Sequence, residues 1–225
     1  MTMPPQRLAI FDVDGTLVDS QSHILEAMTT AFAAEGAPLP SRRAVLSIVG
    51  LSLPEAVEWL APDLSTATRG RIVNAYKSAF GPLRGAAPPA LYPGALAALQ
   101  CLQTRGDVIL GVATGNSRRG LNHLLAVHGL EGMFMTLQVA DDHPSKPHPS
   151  MILTALAETG IAPDATVMIG DTTFDMEMGR AAGVATLGVG WGYHTEASLK
   201  AAGADLVVGG YDALLPAMDG IWGQR

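Results

Sequence analysis

Apolar residues run along this chain in short blocks separated by longer stretches of helical periodicity. Blocks near 7–13, 108–114, 134–140, 166–170, 185–189 and 206–209 are rich in Val, Ile and Leu, the pattern of buried strands. Between and after them, apolar positions recur at helical spacing near 94–105, 117–128, 150–159, 174–182, 196–202 and 211–218. Strand and helix in alternation predict an α/β fold with a doubly wound parallel sheet. The ligand crevice of such a sheet lies at the carboxyl ends of its strands. From about Leu17 to Gly85 the pattern changes: no convincing strand is present, and helical patterns cover 20–35, 42–48, 53–60 and 66–80. The expected organisation is therefore an α/β core of residues 1–16 and 86–225, interrupted by a helical segment over 17–85. The stretch 85–94, with Pro88, Pro89, Pro93 and a closing Gly94, reads as the return linker.

Composition narrows the function. The chain has 225 residues, 48% of them hydrophobic, enough for a sizeable core in one or two domains. A net charge of −7 without a basic run argues against nucleic acid as the main partner. Cys101 is the single cysteine, so neither an internal disulfide nor a thiol metal cluster is expected. The first ten residues lack the charged-then-apolar plan of a signal peptide, and no apolar stretch approaches the roughly 20 residues needed to span a bilayer. A soluble, cytoplasmic protein is the expectation; its oligomeric state is not legible.

The chemistry concentrates at strand ends. The first strand runs into Asp12-Val-Asp-Gly-Thr16, two carboxylates one residue apart, then a glycine turn. Such a pair suits covalent catalysis, one acid attacking and the other handling protons, and Gly15 lets the backbone leave the strand sharply. A second strand ends on Thr114 and continues as Gly115-Asn116-Ser117. Asn116 or Ser117 would cap the helix that follows, and a capped helix N-terminus is also an anion site. Lys146 stands in Ser-Lys-Pro-His-Pro, where the prolines restrain the backbone and delay the next helix to Ser150. The strand at 166–170 ends in Gly170-Asp171, and Asp175 follows in the first turn of a helix.

Four such motifs in this order resemble the haloacid dehalogenase-like hydrolase superfamily. The helical insert resembles the cap of its subgroup containing phosphoglycolate phosphatases and β-phosphoglucomutases. The resemblance implies a phosphatase for a small phosphate monoester, phosphoglycolate the leading candidate, with a sugar phosphomutase or a pyrophosphatase as alternatives. It implies Asp12 as the nucleophile that forms an aspartyl-phosphate and Asp14 as acid and base. It also implies Mg²⁺ on the Asp12 and Asp171 carboxylates and the Asp14 carbonyl, and Lys146 and Thr114 on the phosphoryl oxygens. Gly115 and Asn116 line the same phosphate site, and Asp175 either reaches the metal through water or orients Lys146, the second being preferred. Dehalogenating relatives lack an acid at the position of Asp14, since a departing halide needs no proton. Phosphonate-cleaving relatives need a cap lysine, and Lys77 is the cap's only one.

In the cap, residues 48–52 resemble the loop that closes over the site. Ser52-Leu-Pro-Glu55 reads more simply as a capping box. Arg42 and Arg43 read as a solvated pair opening a helix after Ser41, with a substrate carboxylate as the alternative partner. His23 sits one place before the functional cap histidine of the mutases, where this chain has Ile24. Trp191 and His194 read as packing in an aromatic turn, His143 and His148 are not spaced as a zinc site, and Met168, Met176 and Met178 read as core fillers.

Overall fold

A computed structural model describes residues 6–223. The first five of the ten residues read as lacking a signal-peptide plan, and the outer limits of the expected core at residues 1 and 225, lie outside the described residues. The chain opens with β1 (Arg7–Phe11), turns, and forms the short β2 (Val18–Asp19) before helices α1 (Gln21–Ala34), α2 (Arg42–Leu46), α3 (Leu53–Leu60) and α4 (Thr66–Ala86). It returns through β3 (Ala90–Leu91) into α5 (Ala95–Thr104), β4 (Val108–Thr114), α6 (Arg118–Val127), β5 (Thr136–Val139) and α7 (Ser150–Thr159). The remainder is β6 (Thr166–Gly170), α8 (Thr173–Ala181), β7 (Ala185–Val189), α9 (Glu196–Ala201), β8 (Leu206–Val208) and α10 (Leu214–Gly223).

Six strands make one parallel sheet in the order β5-β4-β1-β6-β7-β8. The chain winds outward from β1 through β4 to β5, then resumes on the other side at β6. The reversal beside β1 opens a crevice at the carboxyl ends of β1, β4 and β6. Both faces of the sheet are covered, because side chains on a strand alternate. Ala9 and Phe11 face a layer that includes Leu99 and Leu102 of α5, Leu121 of α6 and Met218 of α10. Leu8 and Ile10 face Met151 and Ile152 of α7 and Met178 of α8. The four helices after β2 pack around a cluster of their own, in which Met28 and Phe32 of α1 meet Val57 of α3 and Ile72 of α4.

Three features depart from the pattern of the sequence. β2 and β3 pair antiparallel where the chain leaves the sheet and returns, Val18 opposite Leu91 and Asp19 opposite Ala90. Two-residue strands carry no periodicity, so β2 falls in the stretch that reads as strandless and β3 in the one that reads as the return linker. α4 does not stop at Phe80 but continues through Pro82 to Ala86. Pro82 lies on the exposed side while Phe80 and Leu83 keep packing in the helical cluster, which outweighs the lost N–H. The last helix begins after a short 3₁₀ turn at Tyr211–Ala213 and extends to Gly223.

Candidate active site

β1 delivers Asp12 to the crevice. Its backbone N–H still donates to Ile169 of β6 at 2.9 Å, and the chain then coils so that Thr16, Leu17 and Val18 all donate to the Val13 carbonyl. Gly15 adopts φ +87°, and a Cβ there would stand 2.2 Å from Asp171 Oδ2. Only glycine permits both the left-handed backbone and that approach. Asp171, at the end of β6, accepts from the Thr16 hydroxyl on Oδ1 (3.0 Å) and from the Tyr193 N–H on Oδ2 (2.8 Å).

Lys146 lies between two carboxylates, its ammonium 2.7 Å from Asp12 Oδ1 and 2.6 Å from Asp175 Oδ1. Asp12 and Lys146 are both only 1% exposed. Burial alone would push the ammonium pKa down, but the charges of Asp12 and Asp175 outweigh it and carry it up. Asp175 spends its other oxygen on the Thr172 N–H (3.0 Å) and hydroxyl (2.7 Å), closing the capping box that starts α8. Asp175 therefore holds Lys146 with one oxygen and the helix start with the other.

On the opposite side, β4 ends at Thr114, whose hydroxyl accepts the Asn116 N–H at 3.2 Å and so keeps its own proton to donate. Ser117, not Asn116, caps α6, accepting from Gly120. The Asn116 amide instead donates to Asp14 Oδ2 at 2.5 Å. A cavity of about 990 Å³ rises from Asp12, Asp14, Thr114, Gly115 and Asn116 toward the helices above.

A family model described as haloacid dehalogenase-like hydrolase matches residues 9–189. The chain belongs to the haloacid dehalogenase-like hydrolases. It is 38% identical over 205 residues to a probable phosphatase, IndB, of Dickeya dadantii, covering 89% of this chain and 88% of that one. A phosphoglycolate phosphatase of Haemophilus influenzae is 27% identical over 93% of this chain and 96% of its own. Among solved structures, a hydrolase from Pseudomonas syringae superposes with a TM-score of 0.85 at 26% identity, covering 96% and 99% of the two chains.

Phosphatases of this family generally use a divalent metal, and the carboxylates at the base of the cavity suit one. Asp12, Asp171 and Asp175 each bring an oxygen within 4.8 Å of the others. Asp12 Oδ2 is buried and has no hydrogen-bond partner among the described residues. Burial pushes Asp12 up to about 7 against the pull of Lys146, with Asp175 and Asp14 adding repulsion. Asp171 is carried well above the ordinary carboxylate range, first by burial and then by Asp12 and Asp175. Three buried acids around one lysine call for further positive charge. Asp171 and Asp175 have hydrogen bonds on both oxygens, so Asp12 Oδ2 is the oxygen of this cluster without a partner among the described residues.

The hydrolase's helical cap meets this site through residues that read differently in sequence. Ser52 occupies the N-cap position of α3, but its side chain accepts no capping bond, so the expected capping box is not formed. Its backbone N–H donates to the Ser145 hydroxyl (2.8 Å), which turns the residue toward the Lys146 loop, and Ser52 lines the cavity. The carbonyls of Gly50 and Leu51 lie over Gly115, where a Cβ would meet each at 2.7 Å. His194 accepts the Thr173 N–H on Nδ1 (3.0 Å), so Nε2 carries the proton given to the Ser47 carbonyl (3.2 Å). Trp191 donates to the Thr16 carbonyl (3.1 Å) and packs on Tyr211. His23 bonds the Ala87 carbonyl at 2.6 Å, while Ile24 faces the cavity. Arg42 pairs with Gln21 after Ser41 caps α2, and neither Arg42 nor Arg43 lines the cavity. His143 bridges Ser150 and Gln138, and Met168, Met176 and Met178 are buried. Thr16, Thr172 and Ser145 went unassigned in the sequence; their hydroxyls are directed only by the folded chain.

No helix among the described residues is long and apolar enough to cross a membrane.

Proposed function

We propose that this hydrolase is a phosphatase for a small phosphate monoester, working through an aspartyl-phosphate on Asp12. The observation that carries the reading is the state of Asp12 itself. It is buried at the base of the cavity, tied through one oxygen to Lys146 and without a protein partner on the other, with a second acid two residues on.

The Asp12 carboxylate attacks phosphorus, and the ester oxygen leaves with a proton from Asp14. Asp14 then takes a proton from water, whose oxygen attacks the phosphorus of the acyl phosphate. Inorganic phosphate departs and the Asp12 carboxylate is restored. The Lys146 ammonium and the Thr114 hydroxyl stabilise the equatorial oxygens, over which charge is spread in the transition state. Gly115 and Asn116 complete the phosphate end of the cavity. Asp175 keeps Lys146 in place. Mg²⁺, held by the Asp12 and Asp171 carboxylates and the Asp14 carbonyl, would supply charge neutralisation for a dianionic substrate among buried acids.

The acid at position 14 favours phosphoryl over halide chemistry, because an alkoxide must be protonated on leaving. Ile24, not a histidine, faces the cavity from α1, which weighs against the phosphomutase alternative. Phosphate release from phosphoglycolate, hexose phosphates, nucleotides and pyrophosphate tests the reading, run with Mg²⁺, with chelator and with Asp12→Asn. Metal-dependent release that Asp12→Asn abolishes is the expected result. A folded Asp12→Asn variant that keeps turning over would sink the covalent mechanism.

A further inference from the structure

The cavity has two unlike sides. Its base carries Asp12, Asp14, Thr114 and Asn116, whereas the wall contributed by the cap includes Ile24 and Met28 of α1 with Tyr76 and Phe80 of α4. The Tyr76 and Phe80 rings are stacked, 5.2 Å between centroids and 16° between planes, and both border the cavity. Size speaks the same way. At about 30 Å³ per heavy atom, the share of a water molecule in the liquid and generous for an organic molecule, phosphoglycolate takes up roughly a quarter of the 990 Å³. Met28 is 1%, Ile24 6% and Phe80 9% exposed, so Tyr76, which is part-buried, offers the accessible portion of that wall. A two-carbon acid on the phosphate site would leave it uncovered.

The cations tell against a small acid as well. Arg42 and Arg43, the pair that a glycolate carboxylate would call for, do not border the cavity. The lining cations among the described residues, Lys77 and Arg119, and the nearby His123 are all exposed. Charges in contact with solvent attract a phosphate dianion into the mouth but are screened too well to select one small acid among many.

We propose that the preferred substrate is a phosphate monoester whose alcohol carries a flat, largely apolar ring, seated against Tyr76, which Phe80 backs from within the cap. This rests on the phosphatase reading above. A ring against Tyr76 removes apolar surface from water on both partners and can stack on the tyrosine ring, whereas a short polar alcohol does neither. The recognition is realised in binding, so it shows mainly in KM.

The test uses the full chain with Mg²⁺ and esters of primary alcohols only, so that alkoxide leaving groups are comparable. Benzyl phosphate and a nucleoside 5′-monophosphate are set against ethyl phosphate, glycerol phosphate and phosphoglycolate. The two ring-bearing esters separate a simple aryl group from a heterocycle carried on a sugar. Expected is a kcat/KM higher by about tenfold or more for at least one ring-bearing ester, mostly through KM. Tyr76→Ala should shrink that ratio by on the order of fivefold to tenfold, and Tyr76→Phe should keep it. A wild-type ratio near one, or one favouring phosphoglycolate, with release still abolished by Asp12→Asn, overturns the ring preference and leaves the phosphatase reading standing. Release from no ester, or release indifferent to Asp12→Asn, overturns both.

Discussion

Asn116 donates its side-chain amide to Asp14 Oδ2 at 2.5 Å, joining residues 102 positions apart across the mouths of β1 and β4. The bond fixes the orientation of the carboxyl proposed to move protons. The cap of α6 falls to the next residue, Ser117, whose hydroxyl accepts the Gly120 N–H.

Removing that bond should reveal itself through the leaving group. Asn116→Ala is expected to lower kcat on alkyl phosphates by about tenfold, a fraction of the 10²–10⁴ that a positioned acid and base contributes. An aryl phosphate, whose phenoxide leaves with little help from a proton, should lose less. Steady-state kinetics on a matched alkyl and aryl pair measures this; equal losses would contradict an orienting role.

Lys146 is the counter-charge for two buried carboxylates. Lys146→Met should destabilise the fold by about 3–5 kcal/mol, because Asp12 and Asp175 are left as unpaired buried acids. Adding Asp12→Asn to Lys146→Met should restore part of the loss. Urea denaturation of the single and double variants gives the coupling.

Gly115 has no Cβ where the carbonyls of Gly50 and Leu51 pass. Gly115→Ala should unseat the 48–52 loop, lowering kcat/KM by roughly tenfold through misplacement of the groups around the site. Hydrogen exchange over residues 48–52 should speed up while β1 and β6 stay protected. An unchanged exchange pattern would mean that the loop tolerates the methyl group.

A cation held by Asp12 and Asp171, as proposed, would stabilise the folded chain by mass action, about 2.7 kcal/mol at a hundredfold excess over Kd. For a chain of this size that amounts to a rise in Tm of roughly 5–10 °C. Thermal melts with and without Mg²⁺ should show the rise in the wild type and lose most of it in Asp171→Asn. The same rise in both would place the ion elsewhere.

The strand-and-helix pattern was readable along the chain because each buried strand is a local apolar block. A polar residue closing such a block must emerge at the sheet edge, as Asp12, Thr114 and Asp171 do. Lys146 was readable from its motif, but not its partners, since a lysine in a proline-bracketed loop has no local reason to be buried. Ser52 was misread because its spacing from Glu55 satisfies a capping box, whereas packing against the Lys146 loop decides where the residue points.

The sequence by itself determined the α/β order, the helical insert and which polar residues stand at strand ends, for these follow from periodicity within a few residues. Only the tertiary structure decided that Asn116 holds Asp14, that Asp175 divides its oxygens between Lys146 and Thr172, and that Gly115 gives room to the cap loop. Each of those contacts joins side chains or backbone whose directions are settled by the packing of separate elements. A local pattern specifies which residue reaches the crevice; the partner it meets there depends on how distant segments fill the same space.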